Sequence, residues 1–118
     1  MSELLGIARF KFHDGKVDKF KRLSAQALEI VKAQDTGTLQ YDTYFNADES
    51  EAIVIERYRD SQALIEHSEH MAPLMEPILA TASVYGELLG DASPELRANL
   101  APEDPGSPVQ LFTLYQSM

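Results

Sequence analysis

Hydrophobic and polar residues alternate along several short segments of the chain, and this alternation predicts β-strands. Between Leu4 and Phe12, Ala8, Phe10 and Phe12 share one face, whereas Ile7, Arg9 and Lys11 share the other. A period of two is the pattern of a strand that is covered on one side only. The same pattern, enriched in β-branched and aromatic residues, occurs in three further segments: Thr38–Phe45, Ile53–Tyr58 and Ala82–Leu89.

Two other segments have the 3.6-residue period of amphipathic helices. In the first, the apolar stripe runs from Val17 to Val31, and the helix is predicted to end near Gln34, with Gly37 in the left-handed conformation that often follows a helix. The second begins at Ser61, after Asp60 as its N-cap, and reaches about His70.

Two prolines interrupt the second helical pattern. Pro73 and Pro77 lack an N–H group, and their rings crowd the preceding turn. The pattern therefore predicts a kink or a new start near Met71-Ala72, beside His70.

The last part of the chain predicts an added helix and strand. Ser93-Pro94-Glu95 has the N-cap serine and first-turn proline that open a helix, and its small apolar side suggests a surface position. Ala101–Pro108 is predicted to be an irregular linker, and Val109–Tyr115 an edge strand of either its own sheet or a neighbour's.

The order strand, helix, strand, strand, helix, strand is that of a ferredoxin-like, split βαβ fold of the α+β class. Two helices cover one face of such an antiparallel sheet, and the opposite face still carries Ile7, tyrosines and other bulky groups. An uncovered apolar face predicts a partner, and a second copy is the simplest one, so we expect a homodimer with its sheets face to face. Residues 1–90 would form the ferredoxin-like domain, and residues 91–118 an extension of that same domain.

Composition narrows the functional classes. A chain of 118 residues with 44% hydrophobic residues predicts one domain. The net charge of −9, with scattered Lys and Arg, argues against nucleic-acid and anionic-membrane partners. The absence of Cys excludes disulfides, thiol nucleophiles and Cys-ligated zinc. The sequence has no pattern of a signal peptide or membrane helix, so we expect a cytoplasmic protein.

The candidate chemistry lies on the second helix, which carries two of the three histidines. His67, His70 and Met71 occupy neighbouring parts of one helix surface. A histidine of ordinary pKa, about 6.5, accepts a proton near neutral pH. The alternative is structural, with one imidazole N–H tying the helix to the sheet. A metal is not expected because no third ligand has a suitable spacing, and His13 is expected at the surface.

A known family shares these residues. The chain from about Leu5 to Leu89 resembles the antibiotic biosynthesis monooxygenase (ABM) domain of the dimeric α+β barrel superfamily. The resemblance is carried by Glu56-x-Tyr58, Ala63 and His67-Ser68-Glu69-His70, preceded by Thr36-Gly37-Thr38-Leu39-x-Tyr41 and Asn46. Many members have tryptophan at the position of Tyr58, and the haem-degrading branch is similar in needing it together with an early asparagine. This chain has no Trp, which disfavours haem degradation.

The resemblance implies a monooxygenase that acts on quinol-like or polyphenolic aromatic molecules without a cofactor. A base removes the hydroxyl proton, and an apolar pocket keeps the reactive carbanion or radical from water. His70 is implied as the leading base, with His67 as the alternate. The resemblance implies two kinds of substrate-binding residue. If the strand register turns them inward, tyrosines would bind a carbonyl oxygen and arginines an enolate-like charge: Tyr44, Tyr58, Tyr85, Arg9 and Arg57. The apolar walls would be formed by Phe45, Met71 and Met75.

Two other functions fit the same residues. The first is a non-catalytic, stress-related or ligand-binding barrel that holds a small apolar molecule. A cavity closed by Met71, Met75 and the tyrosines, with no room for a ring, would argue against an enzyme and favour a structural or interaction role. The second is an isomerase or lyase acting on a small carbonyl compound through the same histidine, without oxygen consumption.

Overall fold

A computed structural model describes residues 3–118 and contains a mixed five-stranded sheet with three helices. The strands are β1 (Leu4–Phe12), β2 (Thr38–Phe45), β3 (Glu51–Tyr58), β4 (Ala82–Leu89) and β5 (Val109–Phe112). The helices are α1 (Val17–Gln34), α2 (Ser61–Leu79) and α3 (Pro94–Leu100). The predicted ferredoxin-like α+β fold is confirmed, and the linker and edge strand follow it in the predicted order.

The sheet has the order β2-β3-β1-β4-β5. The first four strands pair antiparallel, whereas β5 lies parallel to β4, because α3 carries the chain back across the sheet before β5 begins. The added strand therefore covers the β4 edge of its own sheet. It ends at Phe112, three residues before the predicted Tyr115.

The core lies between one face of the sheet and the helices. A larger cluster joins the sheet to α1 and α2 through residues such as Phe10, Phe20, Val54 and Met71. A second cluster includes Leu96 of α3, which is only 2% exposed. Helix α3 lies on the surface, as expected, with most of its residues exposed, and its apolar residue Leu96 fills the space beside Leu4, Tyr58 and Leu88.

Helix α2 continues without a break to Leu79, with Pro73 and Pro77 inside it. The predicted end near His70 and restart near Met71 are wrong. Each proline removes only its own N–H bond, whereas Met71, Leu74 and Ile78 hold the second half of the helix in the core, where all three are buried. The N-cap prediction is confirmed, since Asp60 accepts a hydrogen bond from Ala63 N at 2.9 Å.

The end of α1 also differs from the prediction. Asp35 is the C-cap in an extended conformation, and Gly37 does not have a positive φ. Gly37 is required for another reason: a Cβ there would lie less than 3.0 Å from the Cβ of Ala63. The loop after α1 and the first turn of α2 therefore touch where only glycine fits.

The sheet face opposite the helices is open. It carries Ile7, Ile53 and Ile55 beside Tyr44 and Tyr85, which are 57% and 56% exposed. Within residues 3–118, none of the helices is both long and apolar enough to cross a membrane.

Candidate functional site

The carboxylate of Asp35 lies at the centre of a hydrogen-bonded cluster where α1, β2 and α2 meet. His67 Nδ1 is 2.7 Å from Asp35 Oδ2, and His70 Nδ1 is 2.6 Å from Asp35 Oδ1. The Thr38 hydroxyl donates to Oδ2 at 2.7 Å. The Asp35 side chain is 3% exposed, so one buried carboxylate holds both imidazoles.

The protonation of this cluster follows from the pKa of Asp35. Burial raises that pKa, but the hydrogen bonds from His70, His67 and Thr38 outweigh burial and lower it below its ordinary value. An ionised carboxylate only accepts hydrogen bonds, so Nδ1 of each histidine carries the hydrogen. Where such an imidazole is neutral, its lone pair is on Nε2, the atom from which it acts as a base.

A second buried carboxyl group faces His67 from the sheet. Glu56 Oε1 is 3.7 Å from His67 Nε2 and accepts a hydrogen bond from the hydroxyl of Tyr58. Burial raises the pKa of Glu56, although the charge on His67 and the Tyr58 hydrogen bond act in the opposite direction. Glu56 therefore keeps its proton to a higher pH than an exposed glutamate, while Asp35 loses its proton more readily.

Two tyrosine rings flank the His67 imidazole. The ring centroids of Tyr41 and Tyr58 lie 5.5 and 5.3 Å from that of His67. Burial, followed by the charges of Glu56 and Asp35, raises the pKa of both phenols well above the ordinary value. Both tyrosines thus stay protonated and serve as hydrogen-bond donors, not as bases.

These groups open onto a cavity of about 340 Å³ between the sheet and the helices. Glu56, His67, Tyr41 and Tyr58 are among its lining residues, and most of the remaining wall is apolar. A volume of this size falls in the range that holds small organic ligands, so there is room for a ring. The condition that would have counted against an enzyme, a closed cavity, is not met.

The structure separates the two histidines. His67 lines the cavity and its side chain is 8% exposed, whereas His70 is not among the lining residues and is 24% exposed. Three predicted substrate-binding residues also line the cavity: Tyr58, Met71 and Met75. Tyr85 borders it on β4, but its pairing with Arg9 sets the Tyr85 side chain on the outer face of the sheet.

The other predicted site residues lie elsewhere. Arg9 forms an ion pair with Glu87 at 3.3 Å and Arg57 with Glu3 at 3.5 Å, both on the sheet face away from the helices. The register places Tyr44 on that same face. Phe45 packs against Phe12 and Phe20, with ring centroids 6.1 Å apart in both cases, at the far end of the core. His13 is exposed, as expected.

One group of side chains has the composition of a metal site. A ligand atom from each of Asp35, Glu66 and His70 lies within 4.8 Å of the others, so Glu66 is the third ligand that sequence spacing did not reveal. However, the 2.6 Å between Asp35 and His70 is a hydrogen-bond distance. Two ligands on one zinc ion, with bonds of about 2.0–2.2 Å, would lie roughly 3.3 Å apart. Glu66 is also bound to the backbone N–H of Thr36 at 2.9 Å. The geometry is that of a hydrogen-bonded cluster.

Three residues of the site were not predicted as functional: Asp35, Glu56 and Tyr41. Glu56 and Tyr41 are part of the pattern that carries the family resemblance, and that was the available signal. Asp35 was interpreted only as part of a helix end, since 32 and 35 residues separate it from the two histidines.

The structure is thus that of a ferredoxin-like protein with a cluster of ionisable side chains in a cavity between sheet and helices. The sequence profile of the family described as antibiotic biosynthesis monooxygenase matches residues 5–72. The chain belongs to this family. Among curated protein sequences, none matches it.

Solved structures are similar to the chain over most of its length. MupZ from Pseudomonas fluorescens is 25% identical, with a TM-score of 0.83, and the match covers 100% of this chain and 94% of MupZ. Rv0793 from Mycobacterium tuberculosis is 27% identical, with a TM-score of 0.68 and coverage of 78% and 97%. A mutant of SnoaB, a cofactor-independent oxygenase from Streptomyces nogalater, is 17% identical, with a TM-score of 0.67 and coverage of 79% and 96%, and it supports the fold alone.

Proposed function

We propose that the protein is a cofactor-independent monooxygenase of quinol-like or polyphenolic aromatic molecules, with His67 as its base. One observation supports this most directly. His67 is a cavity-lining imidazole whose Nδ1 is bound to a buried carboxylate, so that its basic Nε2 is directed toward the cavity side of the site.

His67 would take the proton of a phenolic hydroxyl on Nε2. The resulting anion is electron-rich and reduces O2, which yields a radical pair that combines at a ring carbon. At a ring carbon that bears a hydrogen, the peroxide takes the proton from the His67 imidazolium, and loss of water then leaves a carbonyl: one oxygen atom enters the product, the other leaves as water, and the substrate supplies all four electrons. The apolar wall protects the anion from protonation by solvent.

The other site residues have supporting roles in this proposal. Tyr41 donates a hydrogen bond to a substrate oxygen, the Tyr58 hydroxyl holds Glu56 in place, and Met71 and Met75 contact the ring. His70 helps to hold Asp35 in place and is a positioning residue. Arg9, Arg57 and Tyr44 would not touch the substrate, because they lie on the opposite face of the sheet.

We also propose that two copies pair through the open sheet face as a homodimer. The face holds isoleucines at the matched positions Ile7 and Ile55, with Ile53 and Tyr44 beside them. The Arg9–Glu87 salt bridge lies among these residues, since Arg9 pairs with Ile53 and Glu87 pairs with Ile7. A broad exposed face that carries several apolar side chains, with its charges paired, is typical of a surface that binds a partner.

Substrate turnover tests the proposed reaction. Purified protein, treated with chelator, is mixed anaerobically with a panel of dihydroxynaphthalenes and naphthoquinols, and O2 is then added. We expect O2 consumption above the buffer rate for at least one compound. His67→Asn should reduce that rate by about 10²–10⁴-fold, the usual contribution of a general base, whereas His13→Asn should leave it unchanged. No O2 consumption with any member of the panel would contradict the proposal.

A second function is favoured by Glu56. Burial raises the pKa of the Glu56 carboxyl group, which lies 3.7 Å from the His67 imidazole in the same cavity. A protonated carboxyl group beside an imidazole base can donate a proton at one atom while a proton is removed at another. This is the requirement of an isomerase or lyase that acts on a small carbonyl compound.

Isotope exchange distinguishes the two functions. Small enolisable ketones are incubated with the protein in D2O under argon, and deuterium incorporation is followed by NMR. Incorporation that depends on both Glu56 and His67, without O2 consumption by the phenolic panel, would support the isomerase or lyase. Oxygen consumption without exchange would support the monooxygenase.

A further inference from the structure

The floor of the cavity consists of two neighbouring rows of residues that run across the sheet. The first row is Tyr41, Glu56, Gly6 and Leu88, on β2, β3, β1 and β4 in that order. The second row runs through the same strands and reaches β5: Thr43, Val54, Ala8, Gly86 and Val109. All nine residues line the cavity.

The two rows change character from one side of the sheet to the other. The ionisable groups Tyr41 and Glu56 lie on β2 and β3, below His67. In the middle, on β1 and β4, the side chains are small or absent: Gly6, Ala8 and Gly86. Adjacent strands are about 4.8 Å apart, so roughly 14 Å separate Glu56 on β3 from Val109 on β5. The cavity is therefore a trough with one polar end.

The C-terminal extension forms the closed end of this trough. Val109 pairs with Gly86, and the Gly86 N–H donates to the Pro108 carbonyl at 2.8 Å. Leu100 of α3 and Pro108 line the same cavity. These residues lie beyond residues 5–72, which carry the family match. The wall opposite the acid–base pair is thus a feature of this chain's extension.

The central small residues are not easily replaced. A Cβ at Gly86 would lie 2.6 Å from the Ile7 carbonyl oxygen, so a side chain there would force the two strands apart. At Gly6 an added Cβ would be in ordinary van der Waals contact, with Glu56 and Leu88 atoms at 3.7 Å or more, so Gly6 is the position of the floor that could accept a methyl group. The trough exists because Gly6 and Ala8 on β1 and Gly86 on β4 carry no bulky side chain, whereas Leu88 is the one large residue that these two strands add to the floor rows.

Building on the proposed function, we infer that the substrate is an elongated amphipathic molecule, with its hydroxyl-bearing end at His67 and Glu56 and a narrow apolar chain. The chain lies over Gly6, Ala8 and Gly86 and stops at Leu100 and Val109. A compact ring alone would leave the far half of the trough without apolar contacts. Residues of the C-terminal extension therefore limit the length of the substrate.

Binding of a homologous series of probes tests this inference. The dissociation constants of para-alkylphenols, from ethyl to dodecyl, are measured by calorimetry under argon. Each methylene buried in the trough should lower Kd by about fourfold, until the chain reaches the wall and the gain stops. A Kd that does not change with chain length would overturn the inference.

Substitutions at Val109 test whether this residue sets the alkyl-chain length at which Kd stops falling. In Val109→Trp, Kd should stop falling at a shorter alkyl chain, and the Kd of para-ethylphenol should be unchanged. In Val109→Ala, Kd should continue to fall to a longer alkyl chain. Gln110→Trp is the matched control, because Gln110 is exposed and pairs with Glu87 on the outer face. If Val109→Trp fails to fold, the change of limiting chain length in Val109→Ala still tests the inference. The same limiting chain length in a folded Val109 variant and in wild type would show that the alkyl chain does not reach Val109.

A further variant separates this inference from the proposed reaction. His67→Asn should abolish turnover but retain the decrease of Kd with chain length, since the trough is intact. Chain-length dependence in a wild-type protein that consumes no O2 would contradict only the proposed monooxygenase. Turnover of compact quinols without any chain-length dependence would contradict only the elongated substrate.

Discussion

Asp35 Oδ2 lies 2.7 Å from His67 Nδ1, although the two residues are 32 positions apart and belong to different elements. The contact fixes the ring tautomer, because an ionised carboxylate accepts the Nδ1 hydrogen and leaves Nε2 basic. The same carboxylate binds His70, so the His67-Ser68-Glu69-His70 pattern has a structural half and a cavity-facing half. The two interpretations of the histidine pair, catalytic and structural, are compatible within one cluster.

Replacement of Asp35 tests this arrangement. In Asp35→Asn, one carboxylate oxygen becomes an NH2 group that faces an imidazole N–H, so His67 loses its preferred tautomer. We expect turnover to fall on the order of 10²-fold. Loss of the charge-assisted hydrogen bonds should lower the free energy of unfolding by about 1.5–3 kcal/mol at neutral pH.

The stability difference between Asp35→Asn and wild type should depend on pH. The pKa of Asp35 is lowered in the folded protein, so its contribution is full above the ordinary carboxyl pKa and is lost as pH falls through the folded value. Urea unfolding of wild type and Asp35→Asn at several pH values measures this difference in the free energy of unfolding. Asp91→Asn, at an exposed position, is the control. A difference that grows on acidification would be the wrong sign.

Glu56→Gln should show the opposite pH dependence. Burial raises the pKa of Glu56, so the stability that its protonated form contributes is full below the ordinary carboxyl pKa and is lost as pH rises through the folded value. The glutamine retains an oxygen that accepts the Tyr58 hydrogen bond but does not ionise. We therefore expect Glu56→Gln to gain stability relative to wild type as pH rises.

Melts of wild type and Glu56→Gln between acidic and alkaline pH check this prediction. Glu69→Gln, on the exposed side of α2, should give a difference that does not vary in this way. If Glu56→Gln lost stability relative to wild type as pH rises, Glu56 would be a stabilising ionised group, and its role as a proton donor would have to be abandoned.

Gly37→Ala should loosen the contact between the Asp35 loop and α2. The new Cβ would lie less than 3.0 Å from the Cβ of Ala63, and such overpacking destabilises by about 1–3 kcal/mol. Gly106→Ala is the matched control, because a Cβ there meets no atom within 4 Å, and its effect should stay within about 0.5 kcal/mol.

A compensating change provides the second control for Gly37. Removal of the Ala63 methyl group in the double variant Gly37→Ala, Ala63→Gly should restore part of the lost stability and turnover. Thermal melts and activity are measured on the same four proteins of this cycle. No recovery in the double variant would show that steric contact with Ala63 is not the cause.

The open sheet face leads to a prediction about assembly. Ile55→Asp places a charge at the centre of this face, next to Ile7, and a buried unpaired charge is strongly unfavourable. We expect wild type to sediment as a dimer and Ile55→Asp as a monomer. Ala47→Asp, in the exposed β2–β3 loop, should behave like wild type. A wild-type monomer at micromolar concentration would contradict the proposed homodimer.

Local periodicity was sufficient to predict the fold, because each strand has one covered face and each helix one apolar stripe. Local periodicity failed where contacts between residues distant in sequence determine the structure. Met71, Leu74 and Ile78 keep α2 helical through Pro73 and Pro77 because they are buried against the sheet, and no local rule includes that packing.

The candidate site was predictable only in part for the same physical reason. His67 was identified from its helix and from the family pattern, but a choice between His67 and His70 requires the rotation of α2 over the sheet. Arg9 and Arg57 were expected in the site on the condition that the register turned them inward. The pairing of Arg9 with Ile53 and Tyr85 instead sets Arg9 on the outer face. Asp35 had no local signal at all, since its partners come from a later helix.

The contact at Gly37 has a consequence for motion. Direct packing against Ala63, together with the bonds from Asp35 to both imidazoles, makes the loop after α1 and the start of α2 one rigid body. The trough cannot widen there, so a ligand has to enter where α2 is most pliant. Pro73 and Pro77 leave the carbonyls of Glu69 and Pro73 without their usual helix partners. We expect amide hydrogen exchange to be fast in the last turns of α2 and slow at Thr36–Thr38. The cavity would then open at the end of α2 that is remote from His67.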